Sequence, residues 1–326
     1  MRVTGEMRRI LVSTIKILIS AALLYLALRK VNLIDLAQRI NNVASLGWIA
    51  LAIAVYFVQI FLGVLRWCEV SAECGAPLPV TRAMRYNLIG TFFNQTLPSS
   101  IGGDAVRLWL VARAGAGWRA ATYSIFVDRA IGLIALAIMI VATLPWSYDL
   151  IADPHGRSAL LLVDFLALAG GLGFLVFGAL QWPWLKRWWA THHIHACAVI
   201  ANRVIFNRVR GPKIAILSLS IHVLTVVMAW CVVRAIAAPV SFGQAFQLVP
   251  PVILITMVPI SIAGWGVREA TMGLAFGYAG LMASEGVNIS LLYGAVSFIV
   301  GAFGGLVWIF SAEKAAQGSA PIEVPE

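Results

Sequence analysis

Two arginines follow Pro/Gly breaks in otherwise apolar sequence, and their surroundings suit an anion. Arg107 comes after Gly102-Gly103-Asp104, and Arg268 comes after Gly264-Trp265-Gly266. A helix that begins at such glycines aims free N–H groups and the positive end of its dipole at one point, where a guanidinium adds charge-assisted hydrogen bonds. Each break therefore predicts a phosphate-binding site. The alternative is structural: Arg107 pairs with Asp104 at i, i+3, and Arg268 pairs with Glu269 or a carbonyl.

The candidate substrate site contains both breaks and a charged pair that follows the first. Asn94 either binds a headgroup or caps exposed backbone. Asp128 and Arg129 point about 100° apart on a helix, so each reaches a different neighbour. Asp128 is expected to pair with Arg107 or Arg268. The alternative for Arg129 is that its side chain simply snorkels to the cytoplasmic headgroups. The full set is Asn94, Ser99, Ser100, Gly102, Gly103, Asp104, Arg107, Asp128, Arg129, Gly264, Gly266, Arg268 and Glu269.

The remaining titratable residues give no positive indication of catalysis. His222 is either a proton relay or a hydrogen bond between helices, and Asp164 is a weaker candidate for the same role. His192-His193-Ile194-His195 has only Cys197 near it as a further ligand, and the four cysteines form no CxxC pair. Hydrolase, zinc-protease and nucleotide-binding motifs do not occur. We expect no enzymatic activity, cofactor, metal or disulfide.

Composition places these residues in a membrane. The chain is 61% hydrophobic and 12% charged, whereas soluble domains are about half apolar and about a quarter charged. With about 20 apolar residues per span, full helices are predicted near 10–28, 46–65, 122–144, 159–180, 214–236 and 289–311. The net charge of +10 follows the positive-inside rule rather than indicating nucleic acid. Both termini, and Arg66, are assigned to the cytoplasm.

The segments around the two breaks are too short to span separately. They are 84–97 and 104–113 around the first, and 243–258 and 267–283 around the second. Buried re-entrant hairpins explain them. Pro259 and Arg268 repeat Pro98 and Arg107 almost half the chain later, and three full helices lie between. The hairpins therefore open on opposite sides as an inverted repeat.

The predicted fold class is an all-α polytopic membrane protein with about six full transmembrane helices and two re-entrant broken-helix hairpins. One transport domain covers 1–316, with repeat halves of about 1–157 and 158–316, and residues 317–326 form a disordered tail. The loop 181–213 mixes tryptophan with basic residues. It is either an interfacial segment on anionic headgroups or an aromatic belt with positive-inside charge.

The chain resembles the lysylphosphatidylglycerol synthase transmembrane region family of flippase-like proteins. The resemblance rests on three motifs in order, at 94–107, 127–133 and 258–269. Founding members join this region to a cytoplasmic aminoacyltransferase domain, which is not present here, so the resemblance implies lipid translocation and not lysine transfer. Relatives without that domain are linked to various lipids. Trp265 departs from the family's glycine-rich run and puts a close backbone approach to phosphate in doubt.

The leading hypothesis is a flippase or transporter for a lipid or glycolipid with an anionic headgroup, in a bacterial inner membrane. Arg107 and Arg268 approach each other and bind the headgroup from opposite sides, with the first hairpin the tighter anion binder. One alternative is a non-catalytic membrane partner of a lipid-synthesis enzyme, bound through the loop from Lys186 to Lys213. The other is an intramembrane transferase, with Asp104, Asp128 and His222 as its acid–base groups.

Overall fold

The computed structural model describes residues 14, 18, 20–26, 28, 32–97, 102–180, 188–258 and 261–311, and their regular structure is helical throughout. Residues 20–26 are helical, and eleven α-helices follow in these ranges. They are α1 (Leu33–Arg39), α2 (Val43–Glu73), α3 (Val80–Thr96), α4 (Gly102–Val111), α5 (Trp118–Leu150), α6 (Pro154–Ala179), α7 (Trp189–Ile205), α8 (Arg210–Ala235), α9 (Phe242–Thr256), α10 (Val267–Tyr278) and α11 (Ala283–Phe310). A π-helical turn, Ala112–Ala116, joins α4 to α5.

Five helices are long and apolar enough to cross a membrane: α2, α5, α6, α8 and α11. They correspond to five of the six predicted spans, and the all-α polytopic class is confirmed. The other predicted span, 10–28, lies partly outside the described residues, and the tail 317–326 and the serines Ser99 and Ser100 lie wholly outside them. The inverted repeat, the re-entrant depth of the hairpins and the repeat halves stay predictions.

The first hairpin consists of α3 and α4, which pack against each other. With 17 and 10 residues, they measure about 26 Å and about 15 Å, less than the roughly 30 Å of a hydrocarbon core. Leu97, which ends α3, is extended at φ −82° and ψ 143°. The residue before a proline is excluded from helical conformation, and Pro98 follows. The proline of the motif therefore sets the end of α3.

The second hairpin consists of α9 and α10, which also pack together. Ser241 and Gln244 form a capping box at the start of α9. Before α10 the chain turns through Ala263, Gly264 and Gly266, with φ values of 51°, 80° and 83°. Left-handed conformations of this kind favour glycine. The glycines of the second break are thus required by the turn that leads into α10.

Helix α11 packs against both hairpins, on α3 of the first and α10 of the second. Glycines permit the close approach at each end. A side chain at Gly304 would overlap the carbonyl oxygen of Leu88 in α3, and one at Gly286 would come within 2.6 Å of the Met272 carbonyl oxygen in α10. The two hairpins therefore share one supporting helix.

The predicted loop 181–213 contains helix α7, which folds back along α6. The Asn202 side chain donates to the Leu175 carbonyl at 2.8 Å, and His195 Nε2 lies 2.7 Å from the Leu180 carbonyl. Cys197 and Ala201 are buried. A helix replaces the expected loop because these small residues form an apolar stripe that packs on α6, while Trp188 and Trp189 stay exposed. Residues 181–187 lie outside the described ranges.

Candidate functional site

Asp104 is the centre of a buried charge cluster between the first hairpin and α5. Its carboxylate is bound by Arg129 through Nε at 2.7 Å and Nη2 at 2.9 Å. Arg107 Nη1 donates to the same carboxylate at 3.2 Å. Asp104 thus joins α4 to α5, and the predicted i, i+3 pair with Arg107 is present. Arg129 does not simply snorkel, although its side chain is 46% exposed.

Asp128 pairs with Arg66, which corrects one prediction. Arg66 Nε donates to Asp128 at 2.9 Å, and Arg66 Nη1 lies 3.3 Å from the Ser218 hydroxyl. Asp128 was expected to reach Arg107 or Arg268 and pairs with Arg66 instead. Arg66 itself is buried on α2, which continues as a helix to Glu73, beyond its apolar run; its assignment to the cytoplasmic side stays a prediction. A side chain at Gly132 would come within 3.1 Å of the Arg66 guanidinium, so this glycine makes room for it.

Arg107 keeps two buried donors without an acceptor. Its Nε and Nη2 have no hydrogen-bond partner among the described residues, and the side chain is 6% exposed. The guanidinium lies over the Trp67 ring, 4.0 Å from its centroid. The charges of Asp128 and Arg66 also act on it. We call Arg66, Asp104, Arg107, Asp128 and Arg129 the first charge cluster; three arginines against two aspartates leave it one net positive charge.

The start of α4 lies directly against α3. The Gly103 N–H donates to Asn94 Oδ1 at 2.9 Å, so Asn94 caps backbone as one of its two predicted roles requires. A side chain at Gly103 would overlap the Gly90 carbonyl oxygen, and one at Gly102 would come within 2.7 Å of the Leu97 side chain. These glycines bring Arg107 into the hairpin interior.

Arg268 and Glu269 form the second charge cluster, together with Ser290 of α11. Arg268 Nη2 donates to Glu269 at 2.9 Å, and Arg268 Nε donates to the Ser290 hydroxyl at 3.0 Å. Glu269 also accepts from Ser290 at 2.8 Å and from the Gly266 N–H at 2.6 Å. The predicted alternative pairing of Arg268 with Glu269 is therefore present. One arginine and one glutamate leave this cluster neutral.

The predicted charged residues bond within separate sets of partners, and the approach of Arg107 to Arg268 stays a prediction. Arg107 and Arg268 have separate sets of partners on different helices. Tyr56 of α2 hydrogen-bonds Ser297, and the charges of Arg129 and Arg268 both act on its hydroxyl. Sequence reasoning missed Tyr56, since one tyrosine in an apolar span carries no local signal. It also missed Arg66, whose partner is distant in sequence.

Rings and turns complete the second cluster. The Arg268 guanidinium lies 5.1 Å from the Trp265 ring centroid and 5.4 Å from that of Tyr293. Gly264 and Gly266 supply the turn that leads into α10. Trp265 thus lies over the Arg268 guanidinium, as Trp67 lies over that of Arg107. The prediction that the first hairpin is the tighter anion binder stays a prediction.

The other singled-out polar residues lie elsewhere. His222 Nε2 is 2.9 Å from the Gly132 carbonyl oxygen, which fits the hydrogen bond between helices. His193 hydrogen-bonds the Tyr123 hydroxyl, and His195 bonds Leu180. Asp164 is buried in α6, and neither carboxylate oxygen has a hydrogen-bond partner in the described part of the chain. All four cysteines are free thiols.

Comparison with known proteins gives one match. A family model described as Lysylphosphatidylglycerol synthase TM region matches residues 13–305. No curated protein and no solved structure matches the chain significantly. The matched range contains both hairpins and both charge clusters.

Proposed function

The chain belongs to the lysylphosphatidylglycerol synthase TM region family, and from this premise we propose that it moves lipids with anionic headgroups between membrane leaflets. We further propose that it is not an enzyme, and that it resides in a bacterial inner membrane with both termini in the cytoplasm. The substrate is a phospholipid or an anionic glycolipid whose acyl chains stay in the bilayer. The protein then has to provide a polar path only for the headgroup.

The unmatched donors of Arg107 carry this proposal. A buried charged donor without a partner is unfavourable, so Nε and Nη2 favour an acceptor that the described residues do not supply. A phosphate oxygen pair fits this side of a guanidinium in bidentate fashion. The net positive charge of the first cluster supports the same ligand class. The Arg129 side chain, which is half-exposed and bound to Asp104, offers a first contact for an entering headgroup.

Alternating access is the second step of the proposal. Three helices of spanning length, α5, α6 and α8, lie between the hairpins along the chain. An odd number of crossings directs the two hairpins to opposite sides, as in transporters that alternate around a midplane site. A headgroup bound at the first cluster would pass Tyr56 to reach the second cluster. The possible lipid-synthesis enzyme partner would supply substrate on the cytoplasmic side.

The transferase alternative is less well supported by the same geometry. Asp104 and Asp128 are both ion-paired with arginine, and His222 is bonded to a carbonyl. A general acid or base must be able to exchange a proton with the reacting group. Ion-paired carboxylates are poorly suited to that task. We therefore favour transport.

The test uses purified protein in liposomes that contain fluorescent nitrobenzoxadiazole-labelled phosphatidylglycerol. Dithionite bleaches only outer-leaflet label, so continued bleaching measures flipping. Arg107→Ala should slow flipping at least about tenfold, because a charge-assisted hydrogen bond contributes about 1.5–3 kcal/mol. Arg107→Lys keeps the positive charge but lacks the planar guanidinium that binds two oxygens at once, and it should give an intermediate rate. Arg203→Ala, at an exposed arginine of α7, is the matched control. Equal rates for wild type and Arg107→Ala would sink the mechanism.

A further inference from the structure

Asp164 is a buried carboxyl group that the proposed headgroup path does not use. It is 4% exposed, and both of its oxygens lack a hydrogen-bond donor among the described residues. Its helix, α6, is the least buried of the five spans, so Asp164 is an exception on an otherwise lipid-exposed helix. Ionisable residues inside a membrane are costly and commonly mark a proton or ion pathway.

The carboxyl lies on the face of α6 that packs against the protein. The buried residues of α6 are Gly156, Leu160 and Asp164, spaced i, i+4, i+8. At the start of this stripe, a side chain on Gly156 would come within 2.7 Å of the Tyr278 side chain, at the end of α10. Asp164 is about 12 Å further along α6. Since α6 contacts both α9 and α10, the stripe faces the second hairpin as well as α5.

On the helices packed against α6, the charged groups are either bonded to other residues or, like Asp149 of α5 and Arg203 of α7, exposed. On α5, Arg129 binds Asp104 and Asp128 binds Arg66. On α10, Arg268 binds Glu269. On α7, His193 and His195 bond Tyr123 and Leu180, and α9 has no titratable side chain. Within the described ranges, none of these groups forms an ion pair or a hydrogen bond with Asp164.

We propose that Asp164 is a proton-binding site that couples lipid movement to a transmembrane proton gradient, an inference that rests on the proposed transport function. In the conformation seen here the carboxyl holds a proton, because an ionised carboxylate without donors is disfavoured in apolar surroundings. A movement of the second hairpin along the α6 stripe admits water, and the proton leaves to that water. The ionised group then takes a proton from water on the other side. Only one O–H bond is broken and re-formed in a cycle.

The decisive variant is Asp164→Asn, which imitates the protonated state in size and charge. In liposomes with labelled phosphatidylglycerol and no pH gradient, it should flip lipid at the wild-type rate. An imposed gradient should change the wild-type rate several-fold and leave Asp164→Asn unaffected. Pyranine inside the liposomes should report proton uptake with wild type only. Asp149→Asn, at an exposed carboxyl near the end of α5, is the matched control and should behave as wild type.

The inference is overturned if Asp164→Asn still responds to the pH gradient. It is also overturned if the wild-type protein flips lipid but its rate does not respond to the gradient. Infrared spectroscopy of the protein in nanodiscs separates this inference from the proposed function. A carbonyl-stretch band of a protonated carboxyl should be present in wild type and absent in Asp164→Asn. Wild type that flips no lipid but has this band contradicts the proposed function alone. Wild type without the band contradicts the proton site.

Discussion

Glu269 has no exposed surface, and it connects three parts of the second hairpin region. It accepts from the Gly266 N–H, from Arg268 and from Ser290 of α11. One carboxylate thereby neutralises a buried arginine, caps the start of α10 and fixes α10 to α11. Arg107 has no comparable counterpart, because Asp104 is shared with Arg129. Among the described residues, Arg107 therefore keeps two buried donors without an acceptor, whereas no nitrogen of Arg268 is left in that state.

Replacement of Glu269 by alanine should strongly destabilise the protein. Removing one partner of a buried ion pair costs about 3–5 kcal/mol, since Arg268 is left unpaired. Thermal unfolding in detergent, followed by fluorescence-detected size exclusion, measures the effect. The control is Glu69→Ala, which removes a half-buried partner of Lys213 near the end of α2 and should cost no more than about 1 kcal/mol. Equal losses in the two variants would contradict this role for Glu269.

At the residue scale, the sequence predicted local pairs but not distant ones. Arg107 with Asp104 and Arg268 with Glu269 are neighbours in sequence, so their spacing alone suggested both pairs. The Arg66–Asp128 pair joins α2 to α5 and depends on how these helices pack. The predicted span ended at residue 65 because hydropathy falls at Arg66, whereas the helix itself continues to Glu73. Whether the predicted site residues bind a lipid stays a prediction.

Among the elements, α11 depends on glycines where it meets α3. Gly304→Ala should destabilise the protein and slow flipping, because the new methyl group would overlap the Leu88 backbone carbonyl. The matched control is Gly170→Ala in α6, where the new methyl group would meet no atom within 4 Å. That change should be neutral or stabilising by about 0.5–1 kcal/mol. Thermal unfolding and the dithionite assay measure both variants. Unchanged stability in Gly304→Ala would show that α3 and α11 can separate.

The two hairpins were largely predictable as elements, and α7 was not. Proline marks the end of α3, glycines stand at the starts of α4 and α10, and a capping box begins α9; all of these are local properties of the chain. Helix α7 was mistaken for a loop because its histidines and tryptophans hide a short apolar stripe. Ala198, Ala201 and Val204, spaced i, i+3, i+6, were the available signal. The loop interpretation gave too much weight to composition and too little to periodicity.

For the whole molecule, opposite orientation of the hairpins is a direct prediction. Ala114→Cys and Met282→Cys place thiols at exposed positions that follow the first and second hairpins. A membrane-impermeant maleimide should label them from opposite sides of sealed, oriented vesicles, and labelling from one side would rule out the inverted arrangement. Two of the four native thiols react slowly: burial raises the pKa of Cys74 to about 12 and that of Cys197 to about 11, and thiolate is the reactive form. Cys68 is only partly buried, so the parent protein supplies the labelling background. Permeabilised vesicles, in which both sites react, are the control.

The class of the molecule followed from composition, and the family resemblance is confirmed over residues 13–305. Apolar length predicts spans well, because every backbone group in lipid has to be satisfied within its own helix. The arrangement of spans around α11 could not be predicted in this way, since it depends on contacts between residues far apart in sequence. For the same reason, the separate hydrogen-bond partners of Arg107 and Arg268 could not be read from the spacing of the motifs.

Support of both hairpins by α11 has a thermodynamic consequence. This helix of 28 residues is about 42 Å long, with Gly286 on α10 and Gly304 on α3. Because α11 packs against both hairpins, a displacement of one hairpin changes the packing of the other through this helix. The two hairpins therefore move less independently than hairpins without a common helix. Such coupling is reciprocal. If headgroup binding at the first hairpin shifts the conformational equilibrium of the second, a shift of the second hairpin changes the headgroup affinity of the first by the same free energy.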